Sequence, residues 1–227
     1  MSDGGIPTLI NQVHGPESVS DEPDSAQRVV SQTRYVFMAY ANEQISRDEG
    51  QDETFTNAHH QDMSSQHEII NEDALRVGRQ LAKVADDMNK QLSATFEVIT
   101  RSFGDSLNSY ENFKEIAKEI LKDEVNWGRI LVIFCFGYWL FKREIVKQAR
   151  KKMGTTLGSI ASLVEQFFSD PATSISAWIA LRGGWRVAKS VTRSKIHPIM
   201  KIGITVGFVA VAIGVIVVLM NRRKSSP

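Results

Sequence analysis

The chain has 227 residues, 42% hydrophobic and 23% charged, with a formal net charge of +1; this excludes a wholly disordered chain and allows one helical domain with a substantial core plus tails. Its one cysteine, Cys135, excludes a disulfide framework and reads as a small buried hydrophobe. The near-neutral total hides an asymmetry, with fourteen Asp or Glu against three Lys or Arg in residues 1–75 and twelve against twenty-four in residues 76–227; the basic residues flank apolar runs and form no base-reading motif, so a membrane surface is the expected partner and nucleic acid is not.

Residues 1–24 carry Gly, Pro, Ser and Asp without apolar periodicity and are expected to be disordered. Met1 to Thr8 lacks the basic and apolar regions of a secretory signal. Helical pattern starts after Asp24 or Ser25, either of which suits an N-cap, and Val29, Val30, Thr33, Val36, Phe37 and Tyr40 share a face, giving a first helix over about 25–47. Residues 48–67 return to polar loop composition. His59, His60 and His67 lie there without the Cys or carboxylate spacing of a metal site, so none is read. In a long second helix Val77, Leu81, Val84, Met88, Leu92, Phe96 and Ile99 recur at steps of three and four. A third, from Ser106 to Lys122, places Leu107, Tyr110, Phe113, Ile116 or Ala117, and Ile120 on one side.

The run from Asn126 to Phe141, NWGRILVIFCFGYWLF, is nearly as apolar as a membrane span but sits mid-chain. Ten large apolar side chains lie between Ile130 and Phe141, and at roughly 2 kcal/mol each their exposure would cost on the order of 20 kcal/mol, more than the stability of a typical domain. Other helices or a bilayer must therefore cover it. A basic cluster follows, Lys142, Arg143, Lys147, Arg150, Lys151 and Lys152, positioned to face lipid, and Gly154 is expected to break the helix. The next helix turns Leu157, Ile160, Leu163, Val164 and Phe167 inward and stops near Asp170-Pro171. Short helices fit Ser174 to Leu181 and Gly184 to Arg193.

From Ile202 to Met220 the chain is apolar with a single hydroxyl, Thr205, long enough at ~1.5 Å per residue to span roughly 28 Å of hydrocarbon. With Lys195 and Lys201 before it and Arg222, Arg223 and Lys224 after it, residues 199–220 are expected to be a transmembrane tail anchor, with 221–227 a short basic tail. Gly203, Gly207, Ala210 and Gly214 form a small-residue face suited to close helix packing.

No stretch shows sustained strand alternation, so the body, residues 25–195, reads as an all-α bundle around one central apolar helix. A phosphate-cradling Gly loop, HExxH, CxxC and a nucleophile elbow are all missing, and the Asp86-Asp87 and Asp123-Glu124 pairs read as solvated faces or caps, so no enzyme activity and no cofactor are expected.

Three segments in order carry a family resemblance. LRVGRQLAKVADDMN, residues 75–89, resembles the third homology motif of the Bcl-2 family through Val77, Leu81, Val84, Ala85, Asp86 and Met88. VNWGR, with Phe136 and Gly137 further on, resembles the first through Asn126, Trp127, Gly128 and Arg129, and WIALRGGW resembles the second through Trp178, Gly183, Gly184 and Trp185. All three are more similar to the family's pore-forming effectors than to its pro-survival members, with the departure that Ala85 stands where the family usually has glycine. The resemblance implies a Bcl-2-like bundle with a groove lined by the first and second motifs. It also implies a pairing of Asp86 with Arg129, which the helical spacing itself does not show, since Asp86 falls away from the apolar stripe. The implied function is regulation of apoptosis by oligomerisation and permeabilisation of the mitochondrial outer membrane, with the endoplasmic reticulum as an alternative address. The implied partners are homology-motif helices of other family members, further copies of the chain and membrane lipid. A pro-survival role, sequestering such helices, is the alternative use of the same groove.

Overall fold

The computed structural model describes residues 24–49, 72–101, 109–147, 153–188 and 190. The N-terminal segment, the histidine-containing loop, Leu107, Arg150 to Lys152, and the anchor with its basic tail lie outside the described residues. Among those described there are seven α-helices and no strand: α1 (Ala26–Glu49), α2 (Glu72–Arg101), α3 (Tyr110–Ile120), α4 (Trp127–Lys147), α5 (Met153–Ser169), α6 (Ile175–Leu181) and α7 (Trp185–Ala188), with a 3-10 turn at Pro171–Thr173. The body is all-α as expected, and none of these helices is long and apolar enough to cross a membrane.

Helix α4 forms the axis. Every residue from Ile130 to Phe141 is buried except Trp139, which is half-buried. Helices α1, α2, α3 and α5 pack around it, so the apolar run is covered by protein on all sides. An aromatic lattice fills the space: Phe134 meets Phe37 at 5.4 Å, Tyr40 at 5.5 Å and Trp185 at 5.7 Å between ring centres. On the other side Phe136 packs against Phe96 at 5.3 Å and Phe113 at 5.5 Å.

Helix α2 buries two faces. The apolar stripe Val77, Leu81, Val84, Met88, Leu92, Phe96 and Ile99 is buried throughout. Ala74, Gly78, Ala82 and Ala85 are buried as well, and this small-residue side permits the extensive packing of α2 on α1. A Cβ at Gly78 would lie 2.6 Å from Ala39 Cβ and 2.7 Å from the Tyr40 nitrogen, and would overlap the Val36 carbonyl oxygen. A polar seam runs beside this contact. Gln44 Nε2 donates to the Ala82 carbonyl at 2.7 Å, Asn89 Nδ2 donates to the Tyr40 hydroxyl at 3.0 Å, and the Tyr138 hydroxyl donates to Asp48 at 2.9 Å.

Several boundaries differ from expectation for local reasons. Helix α1 runs to Glu49, two residues beyond the polar boundary, because Gln44 and Asp48 find partners on α2 and α4. Helix α3 is described from Tyr110, where Ser109 accepts from the Asn112 amide as N-cap; the expected start at Ser106 lies outside the described residues. Gly154 does not break a helix but lies in the first turn of α5. The expected helix from Gly184 to Arg193 is described only as the four residues of α7. Asp170 caps the 3-10 turn through the Ala172 amide at 2.9 Å and pairs with Lys114 of α3 at 2.8 Å.

Gly78→Ala is expected to destabilise the full chain by about 1–3 kcal/mol, because two of the neighbouring atoms are backbone and the third, Ala39 Cβ, is fixed to it, so none can step aside; thermal unfolding in detergent, followed by circular dichroism, measures it. A second expectation concerns acid. The hydrogen bond from Lys114, then that from the Ala172 amide, hold the Asp170 carboxyl below its usual range. Its stabilising contribution is therefore complete above the unfolded value of ~3.9 and is lost as pH falls through the lower folded value. Asp170→Asn should be less stable than the parent at neutral pH and should lose less further stability on acidification, measured by denaturant titrations at a series of pH values.

Candidate functional site

The first homology segment opens α4. Asn126 caps the helix, its Oδ1 accepting the Arg129 amide at 2.9 Å, which satisfies an amide that the helix itself leaves unpaired. Trp127 therefore projects from the first turn, 5.4 Å from Trp178 and 6.0 Å from Trp185. Gly128 is buried in the same turn. The Arg129 guanidinium donates to the Ile120 carbonyl at 2.7 Å and pairs with Asp123, tying the end of α3 to the start of α4.

The second homology segment builds the facing wall. Helix α6 ends at Leu181, and Gly183 and Gly184 turn the chain with φ of 91° and 73°, a left-handed conformation for which glycine is suited. The turn delivers Trp185 into the core against Phe168 at 5.8 Å, while its indole N–H donates to the Val29 carbonyl at 3.1 Å. The α6–α7 corner is thereby fixed to the start of α1. Asp24 lies directly beneath Gly184, where a Cβ would overlap its carboxylate.

The expected groove residues do not form one continuous surface. Asn126, Trp127, Arg129, Trp178, Gly183, Gly184 and Trp185 gather at one end of α4. Phe136 is fully covered by Phe96 of α2 and Phe113 of α3. Gly137 faces α1 and α5, where a Cβ would lie 2.9 Å from the Phe37 ring and 3.3 Å from Val164. The homology-motif residues Val77, Leu81, Val84, Ala85 and Met88 are buried in the same core. Asp86 is half-buried and pairs with Lys90 at 3.8 Å. With Arg129 held by Asp123 and Ile120, the implied pairing of Asp86 with Arg129 is not made within the monomer.

A cavity of about 630 Å³ lies elsewhere, between the end of α1, the middle of α2 and the foot of α4, lined among others by Asp48, Asp86, Trp139 and Lys142. Part of the basic cluster is engaged here. Lys142 donates to Asp48 at 2.7 Å, Arg143 lies over the Trp139 ring at 5.8 Å, and Lys147 pairs with Glu144 at 3.6 Å. Among the described residues no cluster of side chains is arranged to hold a metal ion. Cys135 is enclosed between α4 and α1, and burial pushes its thiol up to about 12. The close approach at Gly78 and the α1 seam were not read from sequence; the recurrence of Ala74, Gly78, Ala82 and Ala85 at steps of four, four and three is the signal that reveals the first.

In this helical body an amphipathic helix packs over a central apolar helix, with an Arg-bearing helix start and a Gly-Gly-Trp corner beside it. The model of the Bcl-2 family of apoptosis regulator proteins matches residues 81–185. The chain is 30% identical over 135 residues to human Bcl-2 homologous antagonist/killer, covering 59% of this chain and 60% of that one. It is 29% identical over 120 residues to chicken Bcl-2-like protein 1, covering 52% and 48%; the matched regions thus span about half to three fifths of these relatives. The crystal structure of chicken BOK aligns with a TM-score of 0.49 at 18% identity, covering 74% of this chain and 99% of that one. Over residues 81–185 the chain is thus similar to the Bcl-2 family.

Arg129→Ala removes the donor that closes α3 onto α4 and should cost about 1 kcal/mol of stability. Arg129→Lys should recover only part of it, since one ammonium cannot serve both Ile120 and Asp123 in the guanidinium's geometry; chemical denaturation of the three forms tests this.

Proposed function

We propose that the chain is a Bak-like regulator of apoptosis that permeabilises the mitochondrial outer membrane. Residues 199–220 anchor it with the body, residues 25–195, facing the cytosol. A homology-motif helix from another family member engages the end of α4 marked by Trp127 and Arg129. Helix α2 then leaves the body and docks on a second activated copy, with its Asp86 against the partner's groove, and dimers assemble into larger oligomers on lipid.

The observation that carries this reading is the double use of α2. Its apolar stripe is buried core at rest, so it becomes available to a partner only by unpacking. The same helix supplies Phe96, one of the two rings that cover Phe136. A single displacement therefore creates both a ligand and part of its binding surface, which is the property expected of a bistable packing exchange. Release also withdraws cover from α4, whose exposed apolar surface then favours lipid. The similarity to human Bcl-2 homologous antagonist/killer supports the effector reading. The comparable identity to Bcl-2-like protein 1 supports a second one, a pro-survival groove protein that sequesters homology helices and forms no pore.

Full-length protein in liposomes should release a trapped dye when an activating homology-motif peptide is added. Leu81→Glu and the half-buried Asp86→Arg should each abolish release, the second without disturbing the core. Retention of dye under every trigger, combined with protection of cells against a death stimulus, would instead establish the pro-survival role.

A further inference from the structure

We propose that the α6–α7 corner is the surface by which the resting body lies on an anionic bilayer. The proposal rests on the reading of residues 199–220 as an anchor. It concerns a different face from the basic foot of α4.

Three observations converge on this corner. The first is charge: from Pro171 to Pro227 the chain holds nine Lys or Arg and no Asp or Glu. Arg182 and Arg186, the two on the described corner, are exposed, and no ion pair among the described residues takes up either. Arg182 is stacked on the Trp178 ring at 3.7 Å, leaving its charge available to phosphate oxygens. The nearby carboxylates do not oppose this. Asp24 is buried under Gly184 and paired with Arg28 at 3.5 Å, and Asp73 lies across a small crevice with Arg28 and Arg186 on its walls.

The second is apolar exposure. Leu181 is 82% exposed, and Val187 is also among the exposed large hydrophobics. Beside them Trp178 and Trp127 are only partly buried. Aromatic rings joined to arginine and a protruding leucine suit the boundary between headgroups and acyl chains. Val146 is similarly exposed, at 76%, but it lies at the foot of α4, where Lys142 and Lys147 are already paired with Asp48 and Glu144.

The third is chain connection. Ala188 ends α7, and Ile202 follows fourteen residues later, a reach of at most about 50 Å at full extension. Of the described helices, α7 is the one next to the anchor along the chain. An inserted anchor therefore holds this basic, apolar corner near the surface whose charge it complements, and attraction there does not depend on unpacking α2.

Full-length Leu181→Cys, carrying an environment-sensitive fluorophore, is inserted into vesicles of phosphatidylcholine with phosphatidylserine and into vesicles of phosphatidylcholine alone. Buried Cys135 does not compete for the label. Val146→Cys and Val98→Cys report other faces. The docking surface is supported if brominated lipid quenches the probe at 181 in the mixed vesicles, leaves 146 and 98 bright, and loses its effect in Arg182→Glu/Arg186→Glu or in neutral vesicles. Protein that resists carbonate extraction but stays bright at 181, or is quenched at 146 instead, overturns the proposal and leaves the anchor standing. Equal quenching at 181 in neutral vesicles overturns the anionic recognition. Protein extracted by carbonate removes the anchor, and the proposal with it.

Discussion

The helix that cannot meet water governs the rest of the molecule. Helix α4 presents apolar side chains around its whole circumference, so a partner on one face is insufficient and four helices are needed to enclose it. Enclosure by packing differs from enclosure by a membrane in one respect: the covering elements are themselves foldable chain and can be exchanged. Helix α2 is the cover whose buried stripe resembles a homology motif. The burial of α4 and the concealment of that motif are therefore one set of contacts, and neither can be relaxed while the other is kept.

The hold on α2 is unevenly distributed. Toward α4 it is made of large side chains, contacts that any other apolar surface of similar shape can replace. Toward α1 it is made of small residues and backbone, with Gly78 admitting the Val36 carbonyl and the Gln44 amide reaching Ala82. Backbone approach of this kind depends on one specific neighbour and is not recovered by docking elsewhere. Separation of α2 from α1 thus has the more particular structural requirement, and variants at Gln44 or Gly78 act on the α1–α2 contact itself.

The parts of this arrangement that were legible in the sequence are those written in large apolar residues. The steps of three and four from Val77 to Ile99 and the unbroken run from Ile130 to Phe141 each located a helix and its buried face, and the break between the short helices after Leu181 was placed at the glycine pair. Contacts that depend on small or polar residues were not legible. Ala74, Gly78 and Ala82 carry little hydropathy, and the partners of Gln44 and Asp48 lie far along the chain, so a local window reads the end of α1 as loop. The groove residues illustrate the same limit. Phe136 and Gly137 answer here to Phe96, Phe113 and Phe37, neighbours that lie outside the homology segment itself.

Asp24 beneath Gly184 couples two parts of the chain that genetics would treat as unrelated. Any side chain at position 184 must displace a carboxylate at the entry of α1, and through Trp185 the same corner grips the Val29 carbonyl. A substitution in this glycine pair would be scored as a lesion of the second homology motif, although its first effect falls on the opening turn of α1. Suppressors of such an allele should accordingly map to residues 24–29, outside the three homology segments.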